Sequence, residues 1–359
     1  MDAFLAALPR MRLQAHGVTD PCDDAVAVVR RLGAVQAQDY RASLWAVGSR
    51  TRAGTEADVE RAIADARIVR TWPMRGTLHL LAAEDVRWMQ RLLAPRAIAR
   101  DGARHEREYG LDARELRRCR RAVENILGDG RPMPRPALYR ALEAAGIATA
   151  GSRGLHICGR LAHDGLICGG PREGAQPTFV LCDAWLPDTA GPDGDEALGL
   201  LASRYIAGHG PATAHDLAWW SGLPVKQARA ALAMVSSQLD TIDIGGTTYW
   251  QARDAAPAAR SRSVHLLPAF DEYLLGYKDR TPVLEPAHHR RVFTINGIIH
   301  PCVLVDGMVA GLWPRSAGQG GAPMTLGLFR PLSDAERRGV RTAAKRYANF
   351  LGRTVDVIG

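Results

Sequence analysis

Lysine is scarce in this chain: Lys226, Lys278 and Lys345 are the only three among 46 basic residues, and arginine supplies the rest. A GC-rich genome produces that bias unaided, so the arginine count alone selects no partner. Aromatic residues are also few, at 6%, which argues against a platform that stacks single-stranded bases. No apolar run approaches the roughly 20 residues of a membrane-spanning helix. Residues 1–7 lack the basic flank and apolar core of a secretory signal. A cytoplasmic protein with no membrane partner is expected. The six cysteines (Cys22, Cys119, Cys158, Cys168, Cys182, Cys302) form no C-x-x-C pair and have no histidine at ligand spacing. Neither a disulfide framework nor a zinc site is expected from them; they read as small buried hydrophobes. G-x-S-x-G, P-loop and H-E-x-x-H signatures are missing too. No metal and no cofactor is expected.

What is present describes an ordinary globular protein, with 47% hydrophobic and 23% charged residues over 359 positions, enough for two or three domains. The net charge is +8, and it is concentrated. Between Arg91 and Arg121 stand ten arginines and five acids (Asp101, Glu106, Glu108, Asp112, Glu115). A basic surface poor in aromatics suits a duplex backbone. A solvated helix face explains the same residues, and both readings stay open.

Along the chain, one organisation recurs. Apolar residues Ala25, Val26, Val28, Val29, Leu32 and Val35 have helical spacing, predicting a helix over about 23–35. A second helix passes through Leu44, Trp45 and Val47, and Thr55 with Asp58 caps a third running to Ala66. The strand formers of 67–72 and 77–81 flank a turn at Pro73–Gly76, with Arg70 and Arg75 on that hairpin and no acid between them. Three helices and a hairpin make a winged-helix pattern. It returns over about 112–186, with helices at 112–127, 136–145 and 152–163, then strands 166–168 and 179–181 across a loop at 169–177. Arg153, His156 and Arg160 share one face of its third helix, either facing DNA or serving the fold. After a linker at 187–195, helices at 197–207, 213–221 and 224–237 lead to a hairpin, 239–244 and 247–251, turned by Gly245-Gly246. The remainder reads as strands 264–267, 292–295, 298–305 and 309–313, a glycine-rich tip at 315–321 headed by Arg315, and a closing helix 334–350. The expectation is an α+β protein of three tandem winged-helix units (1–105, 106–190 and 191–359), the last extended by a β-rich part.

Where the first of these helices ends stands Val35-Gln36-Ala37-Gln38-Asp39. In an extended or turning segment, residues i and i+2 share a side, so Gln36 and Gln38 converge on a groove once the backbone leaves the helix. Two solvated amides at a helix end would be the bland account.

Three longer stretches decide between these accounts. Residues 70–79 read RTWPMRGTLH, residues 267–280 read LPAFDEYLLGYKDR, and Asn296-Gly297-Ile298 leads through Leu304-Val305-Asp306-Gly307 to Gly311-Leu312-Trp313. Over nearly the whole chain these resemble the winged-helix DNA glycosylases of the AlkZ/AlkX type. In that family the catalytic element is Gln-x-Gln or Gln-x-Asp in the first winged-helix unit. The resemblance therefore implies Gln36 and Gln38 as catalytic residues, in the Gln-x-Gln branch whose members protect antibiotic producers from their own DNA-alkylating product. It further implies a monofunctional, monomeric glycosylase acting on double-stranded DNA with N7-alkylated purines, including interstrand crosslinks. Arg70, Arg75, Arg153, Arg160, Arg280 and Arg315 are the expected DNA contacts. A non-catalytic winged-helix DNA-binding protein or regulator is the alternative, and it has no need of paired amides. Asp39 is then either a general base or a helix-capping carboxylate. The adjacent acids Asp271 and Glu272 face apart and read as structural, and His79 and His265 read as core histidines.

Overall fold

Helix Ala25–Leu32 shows how local chemistry sets the path of the chain. Asp24 caps its start, its carboxylate accepting from the Ala27 N–H at 2.8 Å, and Gly33 ends it with φ 72°. Only glycine takes that left-handed conformation without strain. The helix is therefore shorter than its apolar spacing predicts: Val35 belongs to a two-residue strand, Val35–Gln36, instead. Helices Tyr40–Gly48 and Glu56–Ala64 follow, the latter preceded by the Thr55–Asp58 capping pair. The computed structural model describes residues 3–189, 191–255, 262–314, 324–355 and 357–358. Arg315 and the tip 315–321 lie outside them. No helix among the described residues is long and apolar enough to cross a membrane.

The described elements are α+β and fall into two compact units, Glu60–Leu198 and the pair of stretches Met1–Val59 with Gly199–Gly359. In the Glu60–Leu198 unit the hairpins Ile68–Met74/Thr77–Ala82 and Ile167–Glu173/Gln176–Leu181 lie side by side, joined where Arg70 faces Gly169. The short strand Met133–Pro134 pairs with the last of them. Strand Ile167–Glu173 replaces the loop expected over 169–177, which shrinks to a tight turn at Gly174 and Ala175. Its glycines are there for space rather than for turning: a Cβ at Gly169 would sit 2.7 Å from the Arg70 carbonyl, and one at Gly170 would sit 2.9 Å from Thr178 Oγ1. Helices Ala113–Ile126, Arg135–Ala144 and Arg153–His163 bury Leu138, Leu142, Ile157 and Leu161 against Val123, Leu127 and Trp72. A 27-residue helix, Ala83–Tyr109, runs through Pro95 and ends at Gly110.

The other unit opens with a helix unforeseen in the sequence, Ala3–Ala15, which buries Leu8, Arg12 and Leu13. Helices Ala214–Ser221 and Val225–Met234 and the Leu239–Ile244/Thr247–Ala252 hairpin follow the expected order. A four-stranded sheet runs Gly327–Leu328, Met308–Leu312, Cys302–Val305, Val264–Leu267. The expected strand 292–295 does not form. Val292 instead closes the short helix His289–Val292 with its side chain in the core, and only Phe293 bridges to Ile299. Helix Asp334–Leu351, capped by Ser333 and Glu336, packs Trp45 against Tyr347 and Phe350.

Candidate active site and nucleic-acid interface

Gln36, Ala37 and Gln38 occupy the link between Gly33 and helix Tyr40–Gly48. Gln36 is 8% exposed, Ala37 is fully buried and Gln38 faces solvent. Among the described residues, the Gln36 side-chain oxygen Oε1 is buried with no hydrogen-bond donor against it. Gln14 and Gln251 carry buried amide oxygens of the same kind, but neither stands in a paired-amide motif. Asp39 caps the next helix, one carboxylate oxygen accepting from the Ala42 N–H at 3.1 Å. A recess of about 70 Å³ adjoins it, walled by Arg41, Trp45, Pro268, Trp313 and Tyr347. Burial pushes the Tyr347 phenol up to about 12.

Beneath the motif is a group of buried polar residues that spacing alone does not reveal. The Gln36 main-chain N–H donates to Glu272 Oε1 at 2.8 Å. The other oxygen of Glu272 accepts from Trp220 Nε1 at 3.1 Å and lies 4.0 Å from His209 Nε2. Asp271 takes both Nη1 and Nη2 of Arg50, at 2.9 and 2.7 Å, with neither side chain exposed. Asp271 also caps the Glu272–Leu275 turn. The two acids do face apart, as adjacent residues should. Asp271 serves the core, whereas Glu272 reaches the motif. Arg12 lies over the Tyr277 ring, 3.7 Å from its centre, and 3.7 Å from Asp216. Burial first, then the neighbouring His209 and the guanidinium groups of Arg50 and Arg12, holds His16 well below the ordinary histidine value. Burial likewise lowers His265 to about 4, and His79 is fully buried with Nδ1 at 3.0 Å from the Thr77 carbonyl.

The expected DNA-contacting arginines are scattered. Arg70, Arg75, Arg153 and Arg160 belong to the Glu60–Leu198 unit and Arg280 to the other. Arg75 stands on the hairpin turn with φ 56°, its guanidinium 3.3 Å from His79 Nε2. Arg153 points inward: Nε donates to the Tyr109 carbonyl at 2.8 Å, Nη2 to Glu115 at 2.9 Å, and Nη1 to the Ala148 carbonyl. Arg160 pairs with Asp164 at 3.1 Å. Arg280 donates to the Leu274 carbonyl at 2.8 Å and lies over Phe293, 4.6 Å from the ring centre. The arginines that fill 91–121 are more open. Of those ten, all but Arg120 are exposed, along helices Ala83–Tyr109 and Ala113–Ile126. Among the described residues, no three His, Cys, Asp or Glu side chains are arranged to hold a metal ion.

Comparison with known proteins identifies the family of the chain. A curated relative, the interstrand DNA cross-link repair glycosylase of Streptomyces sahachiroi, is 31% identical over 338 residues, covering 90% of this chain and 88% of the relative. The solved structure of the Streptomyces sahachiroi DNA glycosylase AlkZ superposes with a TM-score of 0.81 at 27% identity, each chain covered in full. The profile of the AlkZ-like DNA glycosylases matches residues 29–350. This chain belongs to the AlkZ-like DNA glycosylase family.

Proposed function

We propose that this glycosylase hydrolyses the N-glycosidic bond of N7-alkylated purines in duplex DNA, as a monofunctional enzyme, and that its substrates include interstrand crosslinks. Alkylation at N7 makes the purine a cation, so the base departs with the bonding electron pair and needs no strong general acid. Water then attacks C1′ of an oxocarbenium-like centre and releases a proton. A glutamine cannot take up that proton. Its carbonyl can accept a hydrogen bond from the attacking water and turn its negative dipole end toward the cation.

The observation that carries this reading is Gln36 Oε1, a buried acceptor that nothing in the described protein satisfies. Asp39 is engaged as a helix cap, which favours the amides over a carboxylate base. Gln38, two residues on and exposed, is the second member of the pair. The name of the curated relative supports crosslinked DNA as a substrate, and self-protection against a DNA-alkylating product is the biological setting that the Gln-x-Gln motif favours. Three helix–helix–helix–hairpin successions in the element order support tandem winged-helix units. The exposed arginines of 91–121 suit the duplex backbone.

The direct test is release of 7-methylguanine from duplex DNA under single-turnover conditions. Gln36→Ala and Gln38→Ala should each slow release by about 10²–10³, the usual effect of removing one well-placed transition-state hydrogen bond, while circular dichroism and melting stay unchanged. Wild-type rates in both variants would remove the assignment. No release by the wild-type chain would point to a DNA-binding protein without catalysis.

A further inference from the structure

We propose that Glu272 is the positioning residue for Gln36, fixing the motif from a point 236 residues further along the chain. This rests on the reading of Gln36 as the residue that orients the attacking water. Gln36 lies between the left-handed turn at Gly33 and a helix that begins only at Tyr40. Its N–H is anchored by Glu272 Oε1 at 2.8 Å.

That carboxylate has no freedom to turn. Glu272 is 1% exposed, and its second oxygen accepts from Trp220 Nε1. Trp220 is itself fully buried, and its ring end lies 3.4 Å from where a Cβ on Gly33 would stand. One side-chain pair therefore braces both the turn that delivers the chain to the motif and the N–H of its first glutamine. Behind it, His209 stacks on Tyr205 at 4.6 Å between ring centres, and Gly276 leaves room for it, since a Cβ there would meet His209 Cδ2 at 2.6 Å. A buried carboxyl group is costly unless its oxygens find donors, and simple packing would be better served by an apolar residue. Holding one main-chain N–H at one angle is a task that requires the carboxylate.

Glu272→Gln keeps the shape but offers one acceptor where two donors converge, so either Gln36 N–H or Trp220 Nε1–H faces an amide NH₂. The expected result is a single-turnover rate lowered about 10- to 100-fold, as for a displacement of catalytic groups by about an ångström. Affinity for alkylated duplex should stay within about twofold, because the residue touches no DNA. In a Gln36→Ala background the same change should lower the rate by less than about twofold, because the group it positions is gone. An unchanged rate in folded Glu272→Gln overturns the proposal, and so does an equal loss in both backgrounds. If Glu272→Gln does not fold, Trp220→Phe is read instead: it keeps most of the ring volume, deletes the donor to Oε2, and should slow release severalfold, with an unchanged rate again contrary. Wild-type activity in Gln36→Ala removes the catalytic reading of Gln36 and this proposal with it. An impaired Gln36→Ala beside an unaffected Glu272→Gln overturns the positioning role alone.

Discussion

Single residues in this protein follow chemistry that spacing conveys only in part. Asp39 lies at the start of a helix, and such a residue usually caps it; it does. Glu272 also looks structural beside Asp271, yet its partner lies 236 residues away, and no local pattern encodes a contact of that range. The histidines lead to a measurable consequence. His265 is held at about 4, and His16 lies well below its ordinary value. Both therefore bind a proton more tightly when unfolded. Folding stability is complete above about pH 6.5 and declines as pH falls toward the folded values, by up to about 1.4 kcal/mol per pH unit for each such group. Denaturant unfolding between pH 7.5 and 5 should show that slope, and His265→Leu should make it shallower. A variant slope equal to the wild-type slope would contradict the buried, neutral histidine.

Elements were legible where their ends are chemically marked. Thr213 with Gly222 and Ser333 with Gly352 bracket helices that the sequence places closely, and Asp112 starts another, whereas Gly33 ends its helix earlier than the apolar spacing suggests. Helix Ala83–Tyr109 was hidden because Pro95 and Gly102 lie inside it and its N-cap, Ala82, makes no side-chain hydrogen bond. Glycine misled once, at 169 and 170, where it signals close strand approach instead of a turn. This is testable. Gly169→Ala places a methyl 2.7 Å from a carbonyl of the neighbouring strand and should lower stability by about 1–3 kcal/mol, the usual range for overpacking. Gly102→Ala, on a helix with nothing within 4 Å, should be neutral or raise it by up to about 1 kcal/mol. Equal melting temperatures for the two would show that the sheet relaxes around the added methyl.

At the scale of the whole molecule the charge has the largest consequence. A net +8 with nine exposed arginines among those of 91–121 should make duplex binding steeply salt-dependent. Several neutralised phosphates give a slope of log K against log salt of several units, about 0.9 for each phosphate. Fluorescence anisotropy between 50 and 300 mM salt checks this; a flat response would mean that these arginines are a solvated face. Arg104→Ala with Arg117→Ala should reduce the slope by about one to two units. Arg153→Ala should leave the slope alone and lower stability, because its donors already serve Tyr109, Ala148 and Glu115.

The bond between Gln36 and Glu272 also sets a clock. The ribosome makes the proposed catalytic motif early and its proposed brace 236 residues later, an interval on the order of 10–50 s at bacterial rates of about 5–20 residues per second. Until then the unit holding the motif lacks much of the cluster around Leu13, since Tyr273, Leu274, Val283, Leu304 and Val309 are not yet made. A nascent or prematurely terminated chain would therefore carry both glutamines and the whole Glu60–Leu198 stretch, arginines included, with the amides unbraced. On the proposed reading DNA affinity arrives before chemistry, so a fragment ending short of residue 272 should bind duplex without releasing a base from the genome of the cell that is making it.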